Sequence, residues 1–289
     1  MPQPTESQSR PVSGLYVTAT PIGNARDVTL RALDILGACD AIVAEDTRVT
    51  SRLLAIHGIS RPLIAYNDHN AQRVRPGLLA KLRAGAILAL VSDAGTPLVS
   101  DPGYKLVREA LAAGVAVHAL PGASASLTAL MLAGLPTDRF LFAGFLSAKG
   151  GERRSTLHEL KSVTGSLVFF ESAQRLTESL ADMRDVLGPQ RSAAVARELT
   201  KLHEDVRRGT LGELAQIYAG EEPPRGEVTI VVGPPIAPEP DFALADALLA
   251  KALAFMPVRA ATDLVAEALA LPRRALYARA LAQKPRETP

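Results

Sequence analysis

The sequence predicts an α/β fold built as two α/β domains followed by a small helical extension, and three observations carry that prediction. From residue 14 onward, short apolar runs alternate with amphipathic segments, the pattern of a parallel sheet with crossover helices. After about residue 133 the apolar runs continue at a different spacing. Pro234, Pro235, Pro238 and Pro240 then form a stiff linker, beyond which the chain is alanine-rich and mostly helical in pattern. At 289 residues the chain has room for two domains with full cores, at roughly 100 to 200 residues each.

In chain order, residues 1–13 are polar, rich in proline and serine, and lack an apolar core; this leader is expected to be disordered rather than a secretory signal. The N-terminal α/β domain is expected over residues 14–121. Its first strand, Leu15 to Thr18, runs into Pro21, Ile22, Gly23 and Asn24. Thr29 to Leu36 reads as a helix, with Leu30, Leu33 and Leu36 on one side. Ala41 to Ala44 is a second strand ending at Glu45, Asp46, Thr47 and Arg48. Leu63 to Tyr66 is a third, ending at Asn67, Asp68, His69 and Asn70.

Ile87 to Val91 is the fourth strand, a short apolar run that reads as buried and parallel. It opens into Ser92-Asp93-Ala94-Gly95-Thr96-Pro97, a loop rich in turn residues as far as Gly103. Val115 to Leu120 is the fifth strand, ending at Pro121 and Gly122. All five strands therefore end in polar or Gly/Pro loops along one edge of a sheet, where open α/β sheets bind ligands. Asp93 to Asp101 is the first place to look. A tight connection without chemistry is the alternative there, and Asp101 before Pro102 also fits a helix cap.

A helix from about Ser124 to Ala133 opens a second α/β domain, residues 122–233, with a mixed sheet. Its strands are expected at Phe140 to Phe145, Leu167 to Phe170, Ala193 to Ala196 and Val228 to Val232, with a helix at Leu176 to Leu187 and a turn-rich segment at Arg207 to Gly212. The linker occupies residues 234–241. The tail, 242–289, holds a segment Ala260 to Ala270, a break at Leu271-Pro272, and Arg273 to Ala282, a spacing like a helix-turn-helix. Residues 271–286 carry five basic residues and no acidic one. That suits contact with a phosphate backbone, and equally an ordinary helical hairpin with a solvated face.

Composition and motifs narrow the chemistry. The single cysteine, Cys39, excludes an internal disulfide and reads as a core filler. Five scattered histidines without ligand spacing argue against a bound metal. No apolar run approaches the roughly 20 residues needed to cross a bilayer, so no membrane association and a cytoplasmic protein are expected. Net charge is only +2, although most of the 32 basic residues are arginine, which suits bidentate phosphate contact and equally fits a coding bias. The sequence lacks G-x-x-x-x-G-K-[ST], a G-x-G-x-x-G after the first strand, and a G-x-S-x-G elbow. A nucleotide or dinucleotide held by those devices is unsupported.

The runs LYVTATPIGN, RDVTLRAL, AEDTR, VSDAGTPLVSDPGY, LPG, AGLPTDRFLFAGFL, ARELTKLHE and RGEVTIVV resemble, in order and spacing, the bacterial 16S rRNA cytidine 2'-O-methyltransferases of the tetrapyrrole (corrin/porphyrin) methylase superfamily. The resemblance covers about residues 14 to 233, and the tail resembles that family's C-terminal extension. It implies two domains with S-adenosylmethionine bound in the cleft between them, S-adenosylhomocysteine as product, no metal, a homodimer, and 16S rRNA of the small ribosomal subunit as partner. On matching positions the cofactor would meet Pro21, Asp93, Ala94, Gly95, Thr96, Val99, Gly122, Ser124, Ala125, Phe170, Glu171 and Leu199. The loop Asp93-Ala94-Gly95-Thr96-Pro97 departs from the porphyrin enzymes' glycine-rich version, in the direction of the rRNA branch.

The residues are compatible with that chemistry. A sulfonium and an adenosine need backbone partners, an apolar slot and nearby carboxylates, and small residues such as Ala94, Gly95, Ser124 and Ala125 let the backbone approach closely. A ribose hydroxyl needs a general base; His69, Glu45, Asp93 and Glu198 are the candidates, and Asp46 also lies on the rim. Each also fits a bland role, His69 as a surface histidine and Glu45, Asp46 and Arg48 as an ion-pair network. Arg48, Arg197, Arg273, Arg274 and Arg279 are candidate RNA contacts, with Lys149, Arg153 and Arg154 a further basic loop. Two other readings stand beside this one: methylation of a small tetrapyrrole, and a ligand-sensing nucleic-acid-binding regulator.

Overall fold

The computed structural model describes residues 11–98, 103–236 and 242–283. The expected Val99 and Asp101 contacts, most of the leader and much of the proline linker lie outside them. The described chain falls into two compact units divided after Pro235.

The first unit holds two five-stranded sheets. Strands β1 (Gly14–Thr18), β2 (Ala41–Ala44), β3 (Leu63–Ala65), β4 (Ile87–Val91) and β5 (Val117–Leu120) form a sheet of order β3-β2-β4-β1-β5. Every pairing in it is parallel. Helices α1 (Leu30–Ala38), α2 (Thr47–Ile56), α3 (Ala71–Arg83) and α4 (Tyr104–Ala112) make the crossovers. Both faces are covered: α3 and α4 pack Leu78, Leu82 and Leu106 against Leu15, Val43 and Leu88, while α1 and α2 pack Leu36 and Leu54 against Ile42, Ala44 and Ala89. Such double coverage is why β2 and β4 read as continuous apolar runs rather than alternating ones.

Helix α1 forms where expected, capped by the Thr29 hydroxyl on Ala32 N–H at 3.2 Å. Its inward face is different. Ala32, Ile35 and Leu36 are buried and Leu30 is exposed. Two steps of three residues leave Leu30 and Leu36 about 120° apart on a helix, so the leucine spacing drifts off the core that the 32/35/36 face meets. Cys39 is buried as a core filler, and burial pushes its thiol up to about 11.

The second sheet is mixed, as expected. Strands β6 (Phe140–Phe145), β7 (Ser166–Ser172), β8 (Ser192–Arg197), β9 (Asp205–Thr210) and β10 (Glu227–Val232) run in the order β6-β7-β10-β8-β9, with only β6 and β7 parallel. Helix α5 (Ala125–Ala133) covers one face through Ala129, Leu130 and Ala133. Helices α6 (Gly150–Leu160), α7 (Leu176–Leu187) and α8 (Leu211–Ala219) cover the other. Strand β9 corrects the turn-rich reading of Arg207 to Gly212. It is an edge strand whose charged side chains leave it half-exposed, so it lacks the apolar run of a central strand.

The basic loop also needs correction. Lys149 precedes α6, but Arg153 lies within it, buried, with its Nε 2.6 Å from Asp182 of α7; Arg154 binds the other Asp182 oxygen at 2.5 Å. These arginines clamp two helices together instead of forming an exposed loop.

The second unit contains α9 (Phe242–Leu253), α10 (Val258–Leu269) and α11 (Arg273–Gln283) around a core of its own that includes Leu249, Val265 and Leu276. Helix α10 ends at Ala270 in the left-handed conformation, which turns the chain into α11. Among the described residues no helix is long and apolar enough to cross a membrane.

Candidate functional site

In the first sheet, β1 has β4 on one side and β5 on the other, so the chain leaves the sheet's carboxyl edge in diverging directions there. The loops after β1 and β4 are stitched together by two reciprocal bonds, Thr20 N–H to Gly95 O at 2.9 Å and Gly95 N–H to Thr20 O at 3.1 Å. The Thr20 hydroxyl donates to Ser92 O at 3.1 Å, and the Ser92 hydroxyl to Gly95 O at 3.0 Å. Thr96 ties the β4 loop to the loop after β5, its hydroxyl donating to Ala123 O at 3.1 Å. Gly95 has φ +81°, and a β-carbon there would lie 3.1 Å from Ile22 Cγ2. Conformation and space both select glycine.

These loops form one wall of a cleft of about 690 Å³ between the two sheets. Ile22, Ala94, Gly95, Thr96, Ser124 and Ala125 line it from the first-sheet side and α5. Phe145, Phe170, Glu171, Ser172, Ala173, Gln174 and the segment Pro224 to Val228 line it from the second-sheet side. Phe170 meets Phe145 and Phe142 edge-on, at 5.5 and 4.8 Å between centroids, giving that wall an apolar aromatic surface. The size falls within the range that holds a small-molecule cofactor.

Seven of the expected cofactor positions meet in this cleft: Ala94, Gly95, Thr96, Ser124, Ala125, Phe170 and Glu171. Pro21, Asp93, Gly122 and Leu199 are not among the residues that line it. A β-carbon at Gly122 would sit 2.8 Å from Ala19 Cβ, so its role is to let β5 and the end of β1 approach. Leu199 is buried in the core that includes Ile22. Glu171 has a buried carboxylate already fully engaged, by Arg175 at 2.7 Å, Ser172 N–H at 2.7 Å and the Ser179 hydroxyl.

The four candidate bases are dispersed. Asp93 accepts the Asp46 N–H at 2.9 Å, tying the loop after β2 to the loop after β4. Glu45 lies in that β2 loop. His69 is exposed in the turn after β3, the edge strand, two strands from β4. Glu198 is held by Lys201 Nζ at 2.8 Å and Glu227 N–H at 3.0 Å, and these bonds keep its carboxyl below the ordinary value. None of the four is part of the cleft lining.

Among the candidate RNA contacts, Arg48 pairs with Asp46 at 2.5 Å yet remains largely exposed, and this hydrogen bonding holds the Asp46 carboxyl at about 2. Arg197 Nη1 donates to Arg225 O at 3.3 Å. In the tail, Arg273 pairs with Asp263, and Arg279 binds Asp246 at 2.6 Å while lying 4.5 Å over the Phe242 ring. Arg274 is exposed. Two of the three candidate arginines in the tail thus hold its own helices together.

The residue reading missed Ile22, Phe145, Ser172 to Gln174 and Pro224 to Val228. Phe145 and the Arg225-Gly226-Glu227-Val228 segment stand inside the quoted runs AGLPTDRFLFAGFL and RGEVTIVV, so a signal existed for them. For Ser172 to Gln174 the only signal was adjacency to Glu171. Among the described residues no cluster of three or more His, Cys, Asp or Glu side chains could hold a metal.

Residues 14–215 match the family described as Tetrapyrrole (Corrin/Porphyrin) Methylases, and residues 239–284 match the RsmI C-terminal HTH domain. The chain is 50% identical over 281 residues to the ribosomal RNA small subunit methyltransferase I of Mesorhizobium japonicum, covering 97% of this chain and 96% of that one. It is 47% identical over 273 residues to the protein of the same name from Escherichia coli O157:H7, covering 93% and 95%. Among solved structures it is similar to uroporphyrin-III C-methyltransferase from Thermus thermophilus in complex with S-adenosylhomocysteine. The TM-score is 0.54 at 22% identity, over 75% of this chain and 96% of that one. A diphthine synthase structure aligns with TM-score 0.60 at 16% identity, over 76% and 89%. At those identities the structural likeness concerns the fold.

Proposed function

The chain belongs to the tetrapyrrole (corrin/porphyrin) methylase family, among the ribosomal RNA small subunit methyltransferase I proteins, and from that premise we propose that it methylates the ribose 2'-oxygen of a cytidine in 16S rRNA, using S-adenosylmethionine. The observation that carries this reading is the cleft, where seven positions expected to meet the cofactor lie together on both walls. The residues fit the group. Gly95 offers a backbone surface that a β-carbon would obstruct, Ala94, Ser124 and Ala125 are small, and Phe145 and Phe170 supply an apolar wall. Pro21, Asp93, Gly122 and Leu199, which lie outside the lining, and Val99 complete the proposed set.

S-adenosylmethionine supplies an electrophilic methyl group on a sulfonium. This chain's task is to hold the acceptor oxygen in line with that methyl, and well-oriented reactants can gain about 7 to 11 kcal/mol from such positioning. A base removing the hydroxyl proton adds about 10² to 10⁴ in rate. We assign that role to a group on the first-sheet rim, among His69, Glu45 and Asp93. Asp93 adjoins Ala94 of the cleft wall and is the first of these to substitute.

Arg48, Arg197 and the exposed Arg274 are the proposed phosphate contacts, with Arg273 and Arg279 acting mainly through the packing of the tail. The proposed site of action is the cytoplasm. A homodimer is also proposed; exposed Phe140 and Leu141 on the edge strand β6, and Leu127 and Met131 on α5, offer apolar surface for it.

Small ribosomal subunits lacking the modification, incubated with methyl-labelled S-adenosylmethionine and digested to nucleosides, should yield labelled 2'-O-methylcytidine. Incorporation into neither subunits nor naked rRNA, with cofactor binding intact, would reject the proposal. Label in a tetrapyrrole instead would move the reading to small-molecule methylation.

A further inference from the structure

Glu198, Leu199, Thr200 and Lys201 follow β8 in a conformation that ordinary residues avoid. Glu198 has φ +51° and Thr200 φ +64°, two non-glycine residues in the left-handed region within three positions. Such backbone costs free energy and persists only where surrounding contacts over-determine it. Here they do, on two sides.

On one side is the wall segment Pro224 to Val228. Glu198 N–H donates to Glu227 O at 3.0 Å, and Glu227 N–H donates to the Glu198 carboxylate at 3.0 Å. Lys201 Nζ bridges the two carboxylates, 2.8 Å from Glu198 and 3.0 Å from Glu227. Gly226, at φ +96°, packs so closely that a β-carbon on it would overlap the Glu198 carboxylate. On the other side is the loop after β1. Asn24 N–H donates to the Thr200 hydroxyl at 3.1 Å. A β-carbon on Gly23 would meet the Lys201 stem, lie 2.7 Å from Thr200 Oγ1 and lie 2.9 Å from Leu199 O. One loop therefore grips both the Ile22–Asn24 loop of the first sheet and the 224–228 wall of the second, and both Ile22 and that wall line the cleft.

We infer that Glu198 and Lys201 are positioning residues that set the cleft width for S-adenosylmethionine by locking the Pro224–Val228 wall to the loop after β1. This rests on the cofactor reading of the cleft and removes Glu198 from the candidate bases. A carboxylate already accepting from an ammonium and a backbone N–H is a poor proton acceptor. The conservative amide is informative, because the Glu198→Gln carbonyl can still accept from Glu227 N–H and Lys201 Nζ, whereas Glu198→Ala and Lys201→Met break the lock.

The test is the affinity of the full-length protein for S-adenosylhomocysteine by calorimetry, paired with KM and kcat for methyl transfer. Lys201→Met and Glu198→Ala should weaken binding about tenfold and raise KM for the cofactor by a similar factor, with kcat at saturation changed less than threefold. Glu198→Gln should recover binding to within about threefold of wild type. Unchanged affinity in folded Lys201→Met, or a hundredfold loss of kcat in Glu198→Gln with affinity intact, overturns the inference. Should Glu198→Ala fail to fold, the other two variants decide. Were the wild-type protein to bind S-adenosylhomocysteine and methylate no RNA, the acceptor assignment would fail while the affinity series still reported on the lock.

Discussion

Asp182 shows what a single side chain does in this molecule. It is almost completely buried, receives Arg153 on one oxygen and Arg154 on the other, and so neutralises a guanidinium that is itself buried within α6. Removing one partner of a buried pair leaves a desolvated charge, at a cost of roughly 3 to 5 kcal/mol. Asp182→Ala should lower the unfolding free energy measured by urea titration by an amount of that order, and Arg154→Ala, whose side chain is largely exposed, by far less. Equal effects would mean that the buried contact is not the one that matters. The arginines were visible in the sequence as a basic cluster, but their partner stands on another helix, and single-sequence patterning carries no signal for such long-range pairing. Cys39 was legible because burial is the ordinary fate of a lone cysteine in an apolar setting.

The elements were legible where burial is two-sided. Strands β2, β4 and β10 are apolar runs because helices or a second layer cover both faces, and their placement followed directly. Strand β9 was not, because an edge strand needs no continuous apolar face. The loop after β8 was legible only as a quoted motif; its two left-handed residues follow from contacts with Gly226 and Gly23, both remote in sequence.

That loop has a pH signature. Lys201 and the Glu227 N–H hold the Glu198 carboxyl below its ordinary value of 4.5. A depressed folded value means a stabilisation complete above pH 4.5 and lost as the pH falls through the lower folded value. The stability difference between wild type and Glu198→Gln should therefore be constant from neutrality to about pH 5 and shrink below 4.5. A difference independent of pH down to 3 would show that the carboxylate charge contributes nothing to the lock.

The molecule divides into two compact units. Residues up to Pro235 form the unit that holds the cleft, and α9 to α11 form a unit with its own core. A chain truncated after Pro235 should keep its affinity for S-adenosylhomocysteine within about twofold and lose methyl transfer to small ribosomal subunits at least tenfold. Loss of cofactor affinity would mean that the tail supports the cleft rather than the RNA. The acceptor's path is not legible in the sequence, because the pairing of surface arginines, as for Arg273 and Arg279, depends on which carboxylates the fold brings beside them.

The measurement that bears most directly on the cleft is a calorimetric titration of S-adenosylhomocysteine into wild type, Gly95→Val and Arg274→Glu. Gly95 sits at φ +81° with Ile22 3.1 Å from the β-carbon position, so a branched side chain there both strains the loop and obstructs the wall. Wild type and Arg274→Glu should bind alike, and Gly95→Val at least tenfold more weakly while remaining folded by circular dichroism. Undiminished binding by folded Gly95→Val would contradict the assignment of this cleft as the cofactor site.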